Sequence, residues 1–336
     1  MSTMAGTSPS PRPTGAATGA RRRPALHGLS WLVWRQHRAT LRTVLALTVV
    51  GVAFIAYRRA GMMDHLARFD WPHPTGDEWR NDFGPFSGQL NDTGFQLGLV
   101  PVVLSVFLGA PLFASDLETG TAKLVTGQSV SRMRWLTAKL GLALAVSAVA
   151  TVALSAAFTW WYHPVKATSS DWTSGALFDA TGPVPVALTL FTVTVGALIG
   201  MLLRRSLAAM VVTLGAAVAI KVAWSAVRLP LGTATTVVTR DGVGTDAFPE
   251  LPTAAYTLDQ SFVTSSGKLL GWGTCSSPTE AARDACVSQK GIVGWSVDYL
   301  PVSQMPVMQW LGAGILLALA AAVTTFVVLW GRKRLL

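Results

Sequence analysis

Six long apolar stretches divide this chain, and its charged residues lie mainly in the gaps between them. Acidic and basic residues are concentrated in different gaps. All but two of the 17 acidic residues fall in the gaps that follow the first, third and fifth stretch. A domain folded in water has no reason to sort acidic residues into alternate gaps, whereas a chain that crosses a bilayer repeatedly does. The pattern therefore predicts a membrane protein.

The composition agrees, because hydrophobic residues make up 51% of the chain and charged residues 13%, against about a quarter charged in soluble domains. A spanning helix needs roughly 20 mainly apolar residues to cross about 30 Å of hydrocarbon. The candidate stretches are residues 41–57, 95–114, 140–160, 183–203, 206–227 and 308–330. Since a helix satisfies its own backbone amides in lipid, they predict an all-α membrane protein with about six transmembrane helices. Pro111 should kink the second helix.

Lysine and arginine occupy the remaining gaps and set the orientation. The basic groups in those gaps lie at residues 21–23, 35–42, 123–139, 204–205 and 332–334. With six crossings these groups share one side, and the positive-inside rule makes that side cytoplasmic, with both termini inside. Arg58 and Arg59 break the rule just outside the first helix, and we interpret them as side chains that reach the headgroups near acidic neighbours. Lys221, inside the fifth stretch, is interpreted in the same way.

Tryptophan is frequent near the proposed helix ends, as expected for amphipathic rings at a membrane interface. The tryptophans expected at the outer interface are Trp160, Trp161, Trp224 and Trp310. Trp330 is expected at the inner interface.

The stretches also divide the chain into segments. Residues 1–26 are rich in Ser, Pro, Gly and Thr and are expected to form a disordered cytoplasmic tail. Residues 27–40 combine aromatic residues with cations, which suits a helix along the headgroups; a cytosolic extension of the first helix is the alternative. The remaining segments are helices one to five (41–227) with a cytoplasmic loop (115–139), an extracellular loop domain (228–306), helix six (307–331) and a basic cytoplasmic tail (332–336).

Both cysteines, Cys275 and Cys286, fall in the long loop 228–306. Neither is in an apolar stretch, both are expected on the oxidising side, and a helix-like segment at 279–285 separates them. The pattern favours one disulfide that closes a short loop, with two free thiols as the alternative. No second pair of ligands lies nearby, so the spacing does not favour zinc.

The chemistry that the sequence lacks also restricts its function. There is no Gly-x-x-x-x-Gly-Lys-Ser/Thr phosphate loop, no His-Glu-x-x-His and no Gly-x-Ser-x-Gly. No Asp or Glu falls within an apolar stretch, which argues against an ion-coupled carrier. We therefore assign no catalytic residue, metal site or cofactor to this chain. The net charge of +10 is attributed to contact with anionic lipid, not to nucleic acid.

The two remaining acidic residues lie in the loop 115–139. The second helix should end at Gly120, and residues 121–126 could form a short helix. Ser129 or Ser131 could then cap the third transmembrane helix. The result would be a stiff helical hairpin by which a soluble motor pushes two membrane helices. An ordinary solvated connection is the alternative.

Several motifs in this region form one run. Val106-Phe-Leu-Gly-Ala-Pro-Leu112 is followed by Glu118-x-Gly120-Thr121 and then by Gln128-Ser-Val-Ser-Arg132. The run resembles permease subunits of actinobacterial ATP-binding-cassette (ABC) exporters of the type 2 exporter permease family. A weaker match is Tyr299-Leu-Pro-Val-Ser303 before the last helix, where Gln304 and Met305 replace the Arg and aromatic residues of relatives.

The resemblance implies a permease, most simply a homodimer, with separate cytoplasmic subunits that bind ATP and Mg²⁺. Such a complex would move a substrate across a bacterial plasma membrane. The residues that would face the ATP-binding subunit are Asp116, Glu118, Gly120, Thr121, Gln128, Ser131 and Arg132. Among these, Glu118 is expected to pair with an arginine of the ATPase.

Small residues recur every fourth position in the third and fourth helices. They are Ala143, Ser147, Thr151, Ser155, Gly196 and Gly200. Such stripes suit close helix packing, either within one subunit or between two.

Two other functions remain open from the sequence. One is a membrane sensor or structural protein with a ligand-binding ectodomain and no transport. The other is a membrane-embedded enzyme, which would need clustered polar residues that the stretches do not show. A neighbouring gene for a P-loop ATPase would favour the exporter.

Overall fold

The computed structural model describes residues 29–74, 78–120, 131–168 and 170–334. Within these residues, six helical segments are long and apolar enough to cross a membrane. The spans are Arg38–Phe69, Gly84–Glu118, Arg132–Val165, Val184–Leu203, Ser206–Val227 and Val302–Arg332. Each contains most or all of one predicted stretch, so the predicted architecture of six membrane helices is confirmed. The predicted tail 1–26 lies outside the described residues.

The α-helices of the described residues are numbered in chain order. They are α1 (Leu29–Leu66), α2 (Glu78–Asp82), α3 (Gly84–Gly98), α4 (Val100–Leu104), α5 (Pro111–Glu118), α6 (Arg132–Tyr162), α7 (Gly175–Phe178), α8 (Val184–Leu203), α9 (Ser206–Val227), α10 (Glu280–Gln289) and α11 (Met305–Arg334).

The first span belongs to α1, which is a single long helix. No Gly or Pro interrupts residues 29–50, so the basic aromatic segment continues directly into the membrane helix. The described part of the segment predicted at 27–40 is thus continuous with the first helix; its position along the headgroups stays a prediction.

The second span is irregular near its middle. Between α4 and α5, residues Ser105–Gly109 form one wide π-helical turn, in which the Ala110 N–H donates to the Ser105 carbonyl over 2.8 Å. Pro111 explains the widening, because it has no N–H and its ring would clash with the Phe107 carbonyl in a regular helix. The π-helical turn lies directly before the proline, and the predicted kink of the second helix stays a prediction.

α8 lies at the centre of the bundle and contacts α6, α9, α11 and the second span. Glycines permit the closest approach. A Cβ at Gly196 would lie 2.7 Å from the Ser105 carbonyl oxygen, and one at Gly200 would overlap the Ala110 carbonyl. The small residues of α6 are buried as well: Ala143, Ser147, Thr151 and Ser155. Both stripes therefore pack within one subunit, which settles the choice that the sequence left open.

The four tryptophans predicted at the outer interface differ in exposure. Trp160 and Trp310 are 51% and 68% exposed. The prediction was wrong for Trp161 and Trp224, which are buried in the protein. For Trp224 the reason is a hydrogen bond, since its indole N–H donates to the Asp179 carboxylate over 2.8 Å.

The long loop between α9 and α11 contains a four-stranded antiparallel sheet. Its strands are β1 (Thr235–Val238), β2 (Tyr256–Thr264), β3 (Leu269–Gly271) and β4 (Ile292–Leu300), in the order β1-β4-β2-β3. β4 lies between β1 and β2 and leads through Pro301 towards α11. We call the end of the bundle that carries this sheet the sheet end. The end where α5 meets the start of α9, at Glu118 and Ser206, is the coupling end.

Covalent and polar links hold the sheet together and fasten it to the spans. Cys275, after β3, and Cys286, in α10, form a disulfide across the segment predicted to be helical. The Trp172 indole N–H donates to the Ala254 carbonyl over 2.8 Å. The Gln304 amide donates to the Thr233 carbonyl and accepts from the Thr233 N–H, each over 2.9 Å. The glutamine that departs from the family pattern thus anchors the chain just before β1.

Candidate coupling site

The two arms of the loop 115–139 are joined by a buried ion pair. Asp116 near the end of α5 pairs with Lys139 of α6, and the ammonium group also donates to the Leu112 carbonyl over 3.2 Å. Both side chains are almost fully buried. Charged groups are costly in an apolar environment unless they are paired, so this contact fixes α5 against α6 at one register.

Aromatic side chains surround the pair. The Lys139 ammonium lies 5.2 Å from the centroid of the Trp135 ring, and that ring lies 5.8 Å from the ring of Phe113. Phe113, Trp135 and their apolar neighbours form one buried cluster with Leu41 and Met201. The second and third spans therefore meet the coupling end as a packed unit.

Glu118 connects this unit to the fifth span. Its Oε2 accepts a hydrogen bond from the Ser206 backbone N–H over 2.9 Å. Ser206 is the first residue of α9, and the side chain of Arg205 before it provides no cap. The carboxylate of α5 thus satisfies a free N–H and faces the positive end of the α9 dipole.

The turn between α8 and α9 is shaped to present this N–H. Arg204 ends α8 in the left-handed conformation with φ 54°, and Arg205 is extended with φ −133° and ψ 119°. Both arginines are exposed, and Arg205 adds a favourable charge interaction with Glu118. A carboxylate, two guanidinium groups and a helix N-terminus therefore share one surface at the coupling end.

The described ends of the loop match the predicted caps. α5 ends at Glu118, and Gly120 follows with φ 71°, the left-handed conformation in which glycine has no steric penalty. Ser131 precedes α6 and its hydroxyl accepts from the Arg134 N–H over 3.4 Å. The predicted transverse helix at 121–126, together with Thr121 and Gln128, lies outside the described residues.

The predicted coupling residues separate into two groups. Glu118, Gly120, Ser131 and Arg132 are exposed at the coupling end. Asp116 is buried and bound to Lys139. This differs from the expectation that Asp116 faces the ATPase, because Lys139 reaches it from α6. We assign it a positioning role.

Sequence reasoning missed Lys139 and Ser206 as members of the site. Lys139 was counted only among the cytoplasmic basic residues, although it begins an apolar stretch and follows an acidic residue in the same loop. Ser206 could not be identified from the sequence, because Glu118 binds its backbone N–H and every residue except proline has one. Only the fold shows that two residues 88 positions apart are in contact.

A second polar cluster lies at the sheet end. The buried Asp179 carboxylate faces the Lys221 ammonium at 3.5 Å and the Arg228 guanidinium at 3.7 Å. Lys221 also donates to the Gly98 carbonyl over 3.0 Å. The headgroup interpretation of Lys221 was therefore wrong: its side chain turns inward, because Asp179 and a helix-end carbonyl provide partners there.

A comparison with protein families places these features in a known group. A family model described as ABC-2 membrane transporter related matches residues 45–228, more than half of the chain. The match covers spans one to five, including α5, α6 and the α8–α9 turn. Comparison with curated proteins and with solved structures gives no match. Because the match covers more than half of the chain, the chain belongs to the ABC-2 membrane transporter related family.

Proposed function

We propose that this chain is the permease subunit of an ABC exporter. It would move a substrate across a bacterial plasma membrane, with energy from ATP hydrolysed by a separate cytoplasmic subunit. Membership in an ABC-2 transporter family supports an ATP-binding partner, and six apolar helices support a multi-pass location in the membrane. ATP and Mg²⁺ would bind to the partner subunit, and a second copy of the permease would complete the transport pathway.

The observation that carries the proposal is the hydrogen bond from Ser206 to Glu118. It joins the loop 115–139, where we expect the ATPase contact, to the N-terminus of a membrane helix. A force on α5, at the start of that loop, would thus reach α9 through this hydrogen bond. A solvated connection with no transmitting role would not need a carboxylate fixed on a helix N-terminus.

The ion pair explains how the loop would transmit force to two further helices. Asp116 and Lys139 hold α5 and α6 together at the point where both leave the coupling end. Closure of the ATPase pair upon ATP binding would therefore move the second and third spans as one body. Glu118 would pull the start of the fifth span with them. Changes in the packing of these spans around α8 would open the pathway.

The permease dimer would be formed by surfaces left free in the single chain. The first and fifth spans are the least buried of the described spans within the single chain. The outward face of α9 includes Leu207, Val211 and Val222, which are 77%, 65% and 64% exposed. A second copy packed there would lie beside the helix that Glu118 contacts.

The experiment is co-expression of the chain with the ATPase encoded beside it, followed by affinity purification and measurement of ATP turnover. Glu118→Lys places a cation against Arg205 and the α9 N-terminus, so we expect loss of ATPase stimulation with normal insertion. Val125→Pro should break the predicted transverse helix and have the same effect. Glu280→Lys makes the same charge change in the exposed part of α10 and should leave stimulation at the wild-type level.

Two results would contradict the proposal. Wild-type stimulation in both Glu118→Lys and Val125→Pro would place the ATPase contact elsewhere. A chain that neither co-purifies with the ATPase nor changes its turnover would favour the non-transporting sensor.

A further inference from the structure

A groove of about 870 Å³ opens between α6, α8 and α11 at the sheet end, on the side that faces lipid. Most of its wall is apolar, with Val152 and Ala156 of α6, Val186 of α8 and Leu317 of α11. The coupling site lies at the opposite end of the spans. The groove therefore belongs to neither the coupling residues nor the Asp179 cluster.

The mouth of the groove carries a positive charge. The Arg59 guanidinium lies 3.9 Å from the centroid of the Trp160 ring, and its Nε donates to the Trp160 carbonyl over 3.4 Å. In the described part of the chain, no carboxylate forms an ion pair with Arg59. His163 and the exposed Trp310 complete the mouth. Trp160 and Trp310 both line this groove, and tryptophan is frequent at the headgroup region of a membrane.

The polar groups on the floor of the groove are already occupied. The Gln309 amide donates to the carbonyls of Phe178 and Thr181, both over 3.1 Å. The Ser155 hydroxyl donates to the Gly182 carbonyl over 2.9 Å. An apolar chain could enter without leaving these groups unsatisfied, whereas a polar ligand would find few free donors there.

The depth of the groove corresponds to one leaflet. From Trp160 at the mouth to Val152 at the far end of the α6 wall are eight residues, or about 12 Å of helix. One leaflet of hydrocarbon is about 15 Å thick, half of the bilayer core. The groove thus spans most of the length available to an acyl chain whose headgroup lies at Arg59.

We propose that this groove binds an anionic phospholipid from the leaflet at the sheet end. One acyl chain lies against α6, α8 and α11, and the phosphate pairs with Arg59, which holds its position on the Trp160 ring. The positive charge at the mouth favours an anionic headgroup over a zwitterionic one. The site explains why Arg59 lies on the side where the positive-inside rule predicts few basic residues. Lipid binding at this site requires that the chain is inserted in a membrane, but it does not require transport.

The test is native mass spectrometry of the purified full chain with added phosphatidylglycerol or phosphatidylcholine that carry identical acyl chains. The wild type should retain phosphatidylglycerol preferentially. Arg59→Gln should lower its affinity about fivefold, as expected for one basic residue near a lipid headgroup. The affinity for phosphatidylcholine should fall less, because the choline cation offsets the charge of its phosphate. Arg58→Gln is the matched control, because Arg58 lies over Phe54 at 4.9 Å and does not line the groove.

A second pair of variants tests the apolar part independently of charge. Ala156→Trp fills the groove and should reduce retention of both lipids. Val149→Trp adds the same ring at an exposed position of α6 outside the groove and should not. Equal retention of the two lipids by the wild type, or a loss with Arg58→Gln equal to that with Arg59→Gln, would overturn the proposal. Conversion of dimer to monomer by Ala156→Trp, with lipid retention unchanged, would show instead that a second copy occupies the groove.

Discussion

The ion pair between Asp116 and Lys139 allows a quantitative test of how the coupling site is held together. Asp116→Leu replaces the carboxylate with an apolar side chain that has the same number of heavy atoms. It leaves the fully buried Lys139 ammonium, which also donates to the Leu112 carbonyl, without the Asp116 carboxylate. Removing one member of a buried pair costs about 3–5 kcal/mol, because a charge stays in an apolar environment. The free energy of unfolding should fall by that amount.

The matched variants separate the cost of an orphaned charge from the value of the pair. Lys139→Met should also be destabilising, since it removes the cation from a buried carboxylate. The double variant Asp116→Leu/Lys139→Met replaces the pair with apolar side chains, and replacements of this kind are often neutral or stabilising. We therefore expect it to lie closer to the wild type than either single variant.

Thermal unfolding of the purified protein in detergent, followed by tryptophan fluorescence, provides the measurement. At about 2 °C per kcal/mol for a chain of this size, Asp116→Leu should lower Tm by roughly 6–10 °C. The double-mutant cycle gives the coupling energy directly. Single variants that unfold within about 1 °C of the wild type, or a double variant whose losses simply add, would refute the account of this contact.

Three further outcomes follow from other parts of the structure. Reporter fusions at Leu336 and within residues 228–306 should report opposite sides of the membrane, and equal signals would exclude six crossings with both termini inside. Mass mapping without reductant should find the Cys275 and Cys286 peptides joined, whereas two freely alkylated thiols would contradict the disulfide. Gly200→Ala should cost about 1–3 kcal/mol, because its Cβ would overlap the Ala110 carbonyl. Gly215→Ala, with open space around it, should be neutral or stabilising by up to about 1 kcal/mol, and equal effects of the two changes would show that α8 does not pack as described.

The membrane helices could be predicted because hydropathy acts locally. Each span satisfies its own backbone, so a run of about 20 apolar residues is enough to identify it. Caps are local as well, which is why Gly120 and Ser131 were placed correctly. The basic aromatic segment before the first span is helical in both interpretations, and the structure adds that it continues into α1 without a break.

The contacts between distant segments could not be predicted in the same way. Glu118 was identified as important, but its partner is a backbone N–H, which every residue except proline carries. Lys221 and Trp224 face Asp179 because of the rotation of α9, and hydropathy does not fix the rotation of a uniformly apolar helix. The sheet was not predicted. The two longest strands, β2 and β4, do not alternate strictly between buried and exposed residues, and their pairing contains register shifts, so a period of two is hard to recognise in the sequence.

The central claim is that movement of the coupling loop reaches α9 through Glu118 and Ser206. Ser206→Pro tests it selectively, because proline lacks the N–H that Glu118 binds. Proline is well tolerated at the first position of a helix, and the extended Arg205 has the backbone conformation that a residue before proline prefers. Ser206→Ala keeps the N–H and is the control.

The decisive measurement is ATP turnover by the partner ATPase in proteoliposomes that contain each permease variant at equal ATPase binding. The account predicts that Ser206→Pro binds the ATPase normally and stimulates turnover far less than the wild type, while Ser206→Ala remains close to the wild type. Full stimulation by Ser206→Pro would show that force does not pass through this hydrogen bond, and it would contradict the proposed route from the coupling loop to the fifth span.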